Sequence, residues 1–148
     1  MKQITPLAPG LSETEYAAIL AGHPQFGDDT LMAAMNMSID SLGYDFLCGS
    51  VPVEGNKQPA GLFHGGAHVA LAETLASQHS FLRAGTNVVG VDLNATHLKA
   101  ARSGRVRGHA EVIHAGRTII NHEVRMTDDD GRLLSIVRIT NLVLQPKS

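Results

Sequence analysis

Glu73 stands in the stretch GLFHGGAHVALAETLAS, residues 61–77, among Ala, Val, Leu and Thr, with no lysine or arginine anywhere in that stretch. A carboxylate in small apolar surroundings takes up a proton more readily, because desolvation disfavours its charged form, and such a group serves as base or nucleophile. The ordinary alternative is a glutamate on a solvated stripe, which commonly has a basic partner three or four positions away. Here the nearest basic side chain in the same helix is Arg83, with the two histidines His68 and His79 nearer, and Ser77 and Ser80 are the polar company.

Just upstream, His64 is followed by Gly65 and Gly66. Two residues without Cβ at a helix start expose backbone N–H groups at its positive end, where an oxyanion is stabilised. Glycine pairs also serve tight turns and close packing, so this pair gains meaning only in combination with Glu73.

Other candidate chemistry is weaker. His64 and His68 have an i, i+4 spacing, but HGGAH lacks the glutamate of a zinc-protease helix, and no metal is expected. His109 and His114, five apart on an expected strand, should face opposite sides; DDDG reads as a hairpin turn rather than a calcium loop. Cys48, in YDFLCG, reads as a small buried side chain with no histidine placed beside it by motif.

The elements that must position Glu73 follow from periodicity and punctuation. Ser12 and Glu15 form a capping-box spacing ahead of a short helix that ends at Gly22, within an N-terminal helical extension of residues 1–30. From Leu31 to Val53 two extended segments joined by a turn at Gly43 are expected, and EGNKQPAG marks a loop. A helix over 65 to about 83 is rich in small residues and should be buried on most sides. Alternation then places Val89, Val91, Leu93 and Ala95 on one face of a strand, and Val106, Gly108, Ala110 and Val112 on the next. TIINHEVRM and LLSIVRITNLVL continue an antiparallel meander. The sum is an α+β domain, residues 1–148, with an antiparallel sheet wrapped around a long central helix.

Composition bounds the partners. The chain has 148 residues, 43% hydrophobic and 18% charged, with net charge −2, so no global field favours nucleic acid or an anionic membrane. No apolar run approaches the ~20 residues needed to cross a bilayer. One cysteine excludes an internal disulfide and the N-terminus lacks a secretory h-region, so the expected location is cytoplasmic.

QPAGLFHGGAHVALAE, VVGVDLNATHLKAARSGRVRG and DDDGRLLSIVRITNLVL together resemble the hotdog-fold thioesterases of the phenylacetate-degradation (PaaI-like) and 4-hydroxybenzoyl-CoA type, over roughly residues 35 to 145. In that family a glutamate nine residues after the histidine of HGG is the catalytic carboxylate, which the resemblance assigns to Glu73 after His64. It also implies a carbonyl-binding N–H at Gly65, an assisting Gln58, a supporting His64 and a water-orienting Ser77. Contacts to coenzyme A fall, by the same resemblance, on His97 near the pantetheine arm and on Lys99, Arg117 and Thr118 near the phosphates.

The expected activity is hydrolysis of an aromatic or medium-chain acyl-CoA, with 1,4-dihydroxy-2-naphthoyl-CoA as one candidate and no cofactor. The family also implies a homo-oligomer, a dimer of dimers with each site at a subunit interface. Three other readings stay open: a catalytically silent module that binds acyl-CoA, a hotdog hydratase or dehydratase, and an interaction protein whose helix is core and whose Glu73 is buried by hydrogen bonds at a subunit interface.

Overall fold

The computed structural model describes residues 4–23 and 26–145. In chain order it contains α1 (Glu13–Ala21), α2 (Leu31–Ala34), β1 (Ser38–Leu42), β2 (Phe46–Pro52), α3 (Gly65–Ala84), β3 (Val88–His97), β4 (Arg105–Ala115), β5 (Ile119–Thr127) and β6 (Leu133–Val143). The expected capping box starts α1, with Ser12 accepting from the Glu15 N–H and the Glu15 carboxylate accepting from Ser12. The segment from Leu31 is not wholly extended: Thr30 caps a short helical turn before β1 begins.

The six strands form one antiparallel sheet in the order β1-β2-β4-β5-β6-β3. The meander expected for the second half therefore holds for β4-β5-β6 only. β3 crosses to the far edge and pairs with β6 rather than β4.

α3 lies along the concave face. Its apolar residues Ala67, Leu71, Ala72, Leu75, Ala76 and Leu82 are buried at helical spacing, while inward positions of β2, β4, β5 and β6 such as Leu47, Val106, Val124 and Val137 meet them. Leu71 and Leu75 are fully buried, and each stabilises the packed state by about 2 kcal/mol. Close approach is set by the sheet's glycines: a Cβ on Gly49 or Gly108 would come within 2.7 Å of a Leu75 methyl. His64 caps the start of α3, and Gly85, in the left-handed region at φ 70°, ends it. This is the hotdog arrangement, a curved sheet around one long helix.

Two bulges revise the face assignments. Between Gly90 and Asp92 the register with β6 shifts, so Val89 pairs with the half-exposed Leu142 while Leu93 pairs with the buried Ile139. Val89 and Leu93 therefore lie on opposite faces, because a bulge inserts one residue into a period of two. The shift between Val112 and His114 does the same in β4: His109 pairs with Arg125 and His114 with Asn121, both on the convex face. Cys48 is also on that face. It is only partly buried, with Sγ 3.0 Å from His109 Nδ1, and burial raises its thiol pKa.

Candidate active site

The loop before α3 is held by cross-links of its own. Phe63 N–H donates to Ala101 O, His64 N–H to Asn56 O, and Gln58 N–H to Leu62 O. Gln58 Oε1 accepts from the Ala60 N–H at 2.9 Å, which leaves its NH2 end as a free donor. His64 Nδ1 accepts from the Gly66 N–H at 2.8 Å, so this imidazole acts as the helix cap. With Gly66 satisfied, the N–H of Gly65, the first helical residue, is left without an intrahelical acceptor.

Gly65 and Gln58 line one cavity of about 310 Å³ together with His68, His97 and Lys99. The approach at Gly65 is tight, since a Cβ there would lie 2.8 Å from His97 Nε2. His97 ends β3, and Lys99 follows just outside that strand, its N–H donating to Leu134 O at 3.1 Å. His64 and His68 do not converge as a ligand pair: His68 turns inward to stack on His97.

Glu73 lies elsewhere. With Ser77, Val69 and Leu31 it lines a second cavity of about 450 Å³. The sequence expectation of an enclosed carboxylate fails within this chain, because Glu73 is exposed. Its carboxylate reaches the edge strand, where a Cβ on Gly90 would come within 2.9 Å of Glu73 Oε1. Among the described residues Glu73 has no ion-pair partner; Arg83, the basic residue of its own helix, pairs with Asp45 at 2.7 Å and lies over the Tyr44 ring.

Ser77 is tied to the sheet. Its Oγ donates to Asn141 Oδ1 at 2.9 Å, and Asn141 Nδ2 donates to Ser80 Oγ at 3.2 Å. With its proton so committed, Ser77 Oγ presents lone pairs to the cavity beside Glu73.

Arg117 and Thr118 occupy the turn between β4 and β5. Arg117 borders a third cavity of about 620 Å³ with Arg83, Thr86 and Gln145, at the opposite end of α3 from Gly65. Within one chain the structure thus groups Gln58, Gly65, His97 and Lys99, groups Glu73 with Ser77, and separates both groups from Arg117 and Thr118. Gly65 and Glu73 are eight residues apart on one helix, a rise of about 12 Å, too far for both to reach one carbonyl carbon.

Comparison with known proteins gives this arrangement a family. The model described as "Thioesterase superfamily" matches residues 60–135. This chain belongs to the thioesterase superfamily. Among its relatives, the 1,4-dihydroxy-2-naphthoyl-CoA hydrolase of Escherichia coli is 36% identical over 121 residues, 80% of this chain and 89% of that protein. A mutant of the Pseudomonas aeruginosa thioesterase PA1618 superimposes with a TM-score of 0.77 at 33% identity, covering 91% of this chain and 95% of that one. A Haemophilus influenzae thioesterase superimposes with a TM-score of 0.77 at 30% identity, covering 98% and 96%.

For this thioesterase, the residues that sequence reasoning passed over are structural partners of the site. Gly90 shapes the seat of Glu73, Asn141 holds Ser77, and Ser135 holds His97. Asn141 had a signal, an amide inside the apolar run of β6 that must find partners if buried. Gly90 and Ser135 carried none, since only the crossing of β3 to β6 reveals them.

Proposed function

We propose that the protein is an acyl-CoA thioesterase that hydrolyses an aromatic or medium-chain acyl-CoA at a site shared between two copies of the chain. The observation that carries this reading is the separation of Gly65 and Glu73 along α3. Two halves of a thioester-cleaving site are present, yet one protomer cannot bring them together.

The edge strand offers the means. β3 is ten residues long, unpaired on one side, and exposes Val89, Val91 and Leu93, an edge that in isolation is prone to pair with another strand. Glu73 lies by its Gly90 end and Gly65 by its His97 end, and those two strand positions, seven residues apart, are about 23 Å from each other in an extended strand. Antiparallel addition of a second copy along β3 sets the Gly90 end of one against the His97 end of the other. Glu73 of the partner subunit then faces Gln58 and Gly65. The Arg117 cavity abuts Gly85 and Thr86, just ahead of β3, so the same pairing draws Arg117 and Thr118 of the partner subunit toward Lys99. Those cations suit the phosphates of coenzyme A. Two such dimers pack as the homotetramer implied by the family.

In the mechanism, the Gly65 N–H and the Gln58 NH2 polarise the thioester carbonyl, and the helix dipole adds to the field at Gly65. Glu73 either attacks the carbonyl carbon, giving a mixed anhydride that water opens, or removes a proton from water as it attacks. In both routes a C–O bond forms, the C–S bond breaks, and the thiolate of coenzyme A departs and is protonated. Ser77, its own proton engaged by Asn141, accepts a hydrogen bond from that water and orients it. His64 supports the site by fixing the first turn of α3. The likeness to the Escherichia coli enzyme makes 1,4-dihydroxy-2-naphthoyl-CoA the leading substrate to test.

The test is release of free thiol from a panel of aromatic and aliphatic acyl-CoAs, comparing wild type with Glu73→Ala of verified oligomeric state. Thiol release by wild type, lost in the assembled variant, is expected. A product that still carries coenzyme A would instead indicate a hydratase, and no reaction with any substrate would indicate a silent binding module.

A further inference from the structure

The segment from Asn56 to Gly65 carries both donors proposed for the thioester carbonyl, the Gln58 NH2 and the Gly65 N–H. Apolar burial does little to hold it, since between Asn56 and His64 only Phe63 is buried. Hydrogen bonds therefore decide where it stands. Those from Gln58 N–H to Leu62 O and from Ala60 N–H to Gln58 Oε1 are internal, and fix the shape of the loop without fixing its place. Phe63 N–H ties it to Ala101 O.

Asn56 supplies the remaining ties. Its Nδ2 donates to Met35 O and to Pro52 O, each at 2.9 Å, so both amide protons are engaged. Two carbonyl oxygens are met only by the NH2 end, which settles the orientation of the amide. The backbone N–H of Asn56 donates to Val53 O at 3.1 Å, across a turn in which Gly55 takes φ 83°. Its carbonyl accepts from the His64 N–H at 2.9 Å. The two side-chain acceptors belong to packed elements, because Met35 is the buried C-cap of α2 and Pro52 is the last residue of β2. One residue thus ties the start of the segment to the body of the protein and also ties its end. Serine or threonine has a single proton to give, and aspartate would set an anionic oxygen against two carbonyl oxygens.

The consequence for the chemistry runs through His64. The His64–Gly65 peptide sets the direction of the Gly65 N–H. His64 is held on one side by Asn56 O and on the other by the bond from Gly66 N–H to its Nδ1 at 2.8 Å. A reacting or polarising group must stay within about 0.5 Å of its productive place, and a shift of about 1 Å costs about a hundredfold in rate. We infer that Asn56 is a positioning residue for thioester hydrolysis, acting on the Gly65 N–H through His64. The inference rests on the thioesterase reading.

A double-mutant cycle in kcat/KM tests it. Wild type, Asn56→Ala, Gly65→Ala and the double variant are compared on whichever of benzoyl-CoA, 1,4-dihydroxy-2-naphthoyl-CoA and octanoyl-CoA wild type cleaves fastest. The assay temperature is one at which circular dichroism and sedimentation show every variant folded and assembled. Asn56→Ala is expected to lower kcat/KM of the wild type by about tenfold or more, and a smaller loss overturns the inference. With the donor already displaced in Gly65→Ala, the same substitution should cost a factor at least about three times smaller, because two changes acting on one group are not additive. A merely structural asparagine costs the same factor in both backgrounds, so a factor that fails to shrink overturns the inference. If alanine prevents assembly, Asn56→Ser, which keeps one donor and is the milder change, enters the cycle under the same criterion of shrinkage. A wild type that cleaves none of the three compounds overturns the thioesterase reading and the inference with it, whereas an active wild type with equal costs in the two backgrounds overturns the inference alone.

Discussion

Glu73 and Gly90 meet so closely that a Cβ on the glycine would lie 2.9 Å from the carboxylate oxygen Oε1. The obstructed atom is the far end of a flexible side chain, so Gly90→Ala is expected to displace the carboxylate rather than the strand. Alanine is also no worse than glycine in an extended segment. The variant should therefore keep its melting temperature while kcat falls by about a hundredfold, the scale of a displacement of about 1 Å in a reacting group. Thermal denaturation and steady-state kinetics on the same sample decide it; full activity in Gly90→Ala would show that Glu73 does not act from this seat.

Gly65→Ala tests the opposite wall. The added methyl would lie 2.8 Å from His97 Nε2, and His97 is anchored through Ser135, so neither side yields cheaply. Either His97 leaves its hydrogen bond or the first turn of α3 shifts its N–H. Loss of one oxyanion donor costs on the order of a hundredfold or more in rate, and kcat/KM should drop by at least that factor. A variant that retains wild-type kcat/KM would remove Gly65 from the site.

Ser77→Ala separates positioning from packing. Asn141 is fully buried and would lose the donor to its Oδ1, a cost of about 1–2 kcal/mol in unfolding free energy. Activity should fall as well, because the lone pairs that hold the water disappear with the hydroxyl. Ser77→Thr retains that hydroxyl and is expected to recover most of the rate. If Ser77→Ala loses stability but turns over normally, the serine is structural only.

How much of this was legible in the sequence depends on the range of the interaction. The α3 helix, its start at the two glycines after His64 and the succession along the chain of two strands, a helix and four strands followed from local rules, because glycine punctuation and periodicity act within a few positions. The spacing of His64 and Glu73 was legible through resemblance. What failed was the placement of faces beyond each bulge. Val89 and Leu93 differ in side, and His109 and His114 share one, because a single inserted residue reverses every assignment after it. The contact of Cys48 with His109 is equally nonlocal, a product of β2–β4 register. Likewise Glu73 was expected to be enclosed, and the residues of one chain do not enclose it.

Acid sensitivity should come from a buried pair. His79 Nε2 donates to Gly43 O, so His79 Nδ1 accepts from His122 Nε2–H at 2.8 Å, and His122 Nδ1 is left without a partner. Burial first, then neighbouring charge, lowers the two pKa values to about 4 and about 3. Both lie below the ordinary histidine value, so between about pH 6.5 and pH 4 the unfolded chain binds protons that the native state refuses. Stability therefore falls with falling pH across that window, by about 1.4 kcal/mol per pH unit for each such histidine once well below pH 6.5. Urea denaturation at intervals from pH 7 to pH 4.5 should show a shallower decline for His122→Gln by about that amount. An unchanged slope would place the acid sensitivity elsewhere.

Val91 is the residue through which assembly and catalysis can be separated. It sits at the bulge of β3, 56% exposed, on the strand whose free edge is proposed to receive a second copy. Because a single chain leaves the side chain largely in solvent, Val91→Lys should leave the protomer folded, with a change in unfolding free energy within about 0.5 kcal/mol when the monomeric species is compared. Charge on an edge strand opposes pairing, and a twofold operator would bring the two lysines near each other. The expected outcome is a shift toward monomer in sedimentation velocity, together with loss of thiol release in proportion to the monomer fraction, since Gly65 and Glu73 then belong to separate molecules. Mixing an assembled Glu73→Ala protein with an assembled Gly65→Ala protein, and allowing subunit exchange, should in turn restore activity: the mixed dimer has one site that receives both an intact Gly65 and an intact Glu73. Full activity in a monomeric Val91→Lys protein, or no rescue on exchange, would mean that each chain carries a complete site.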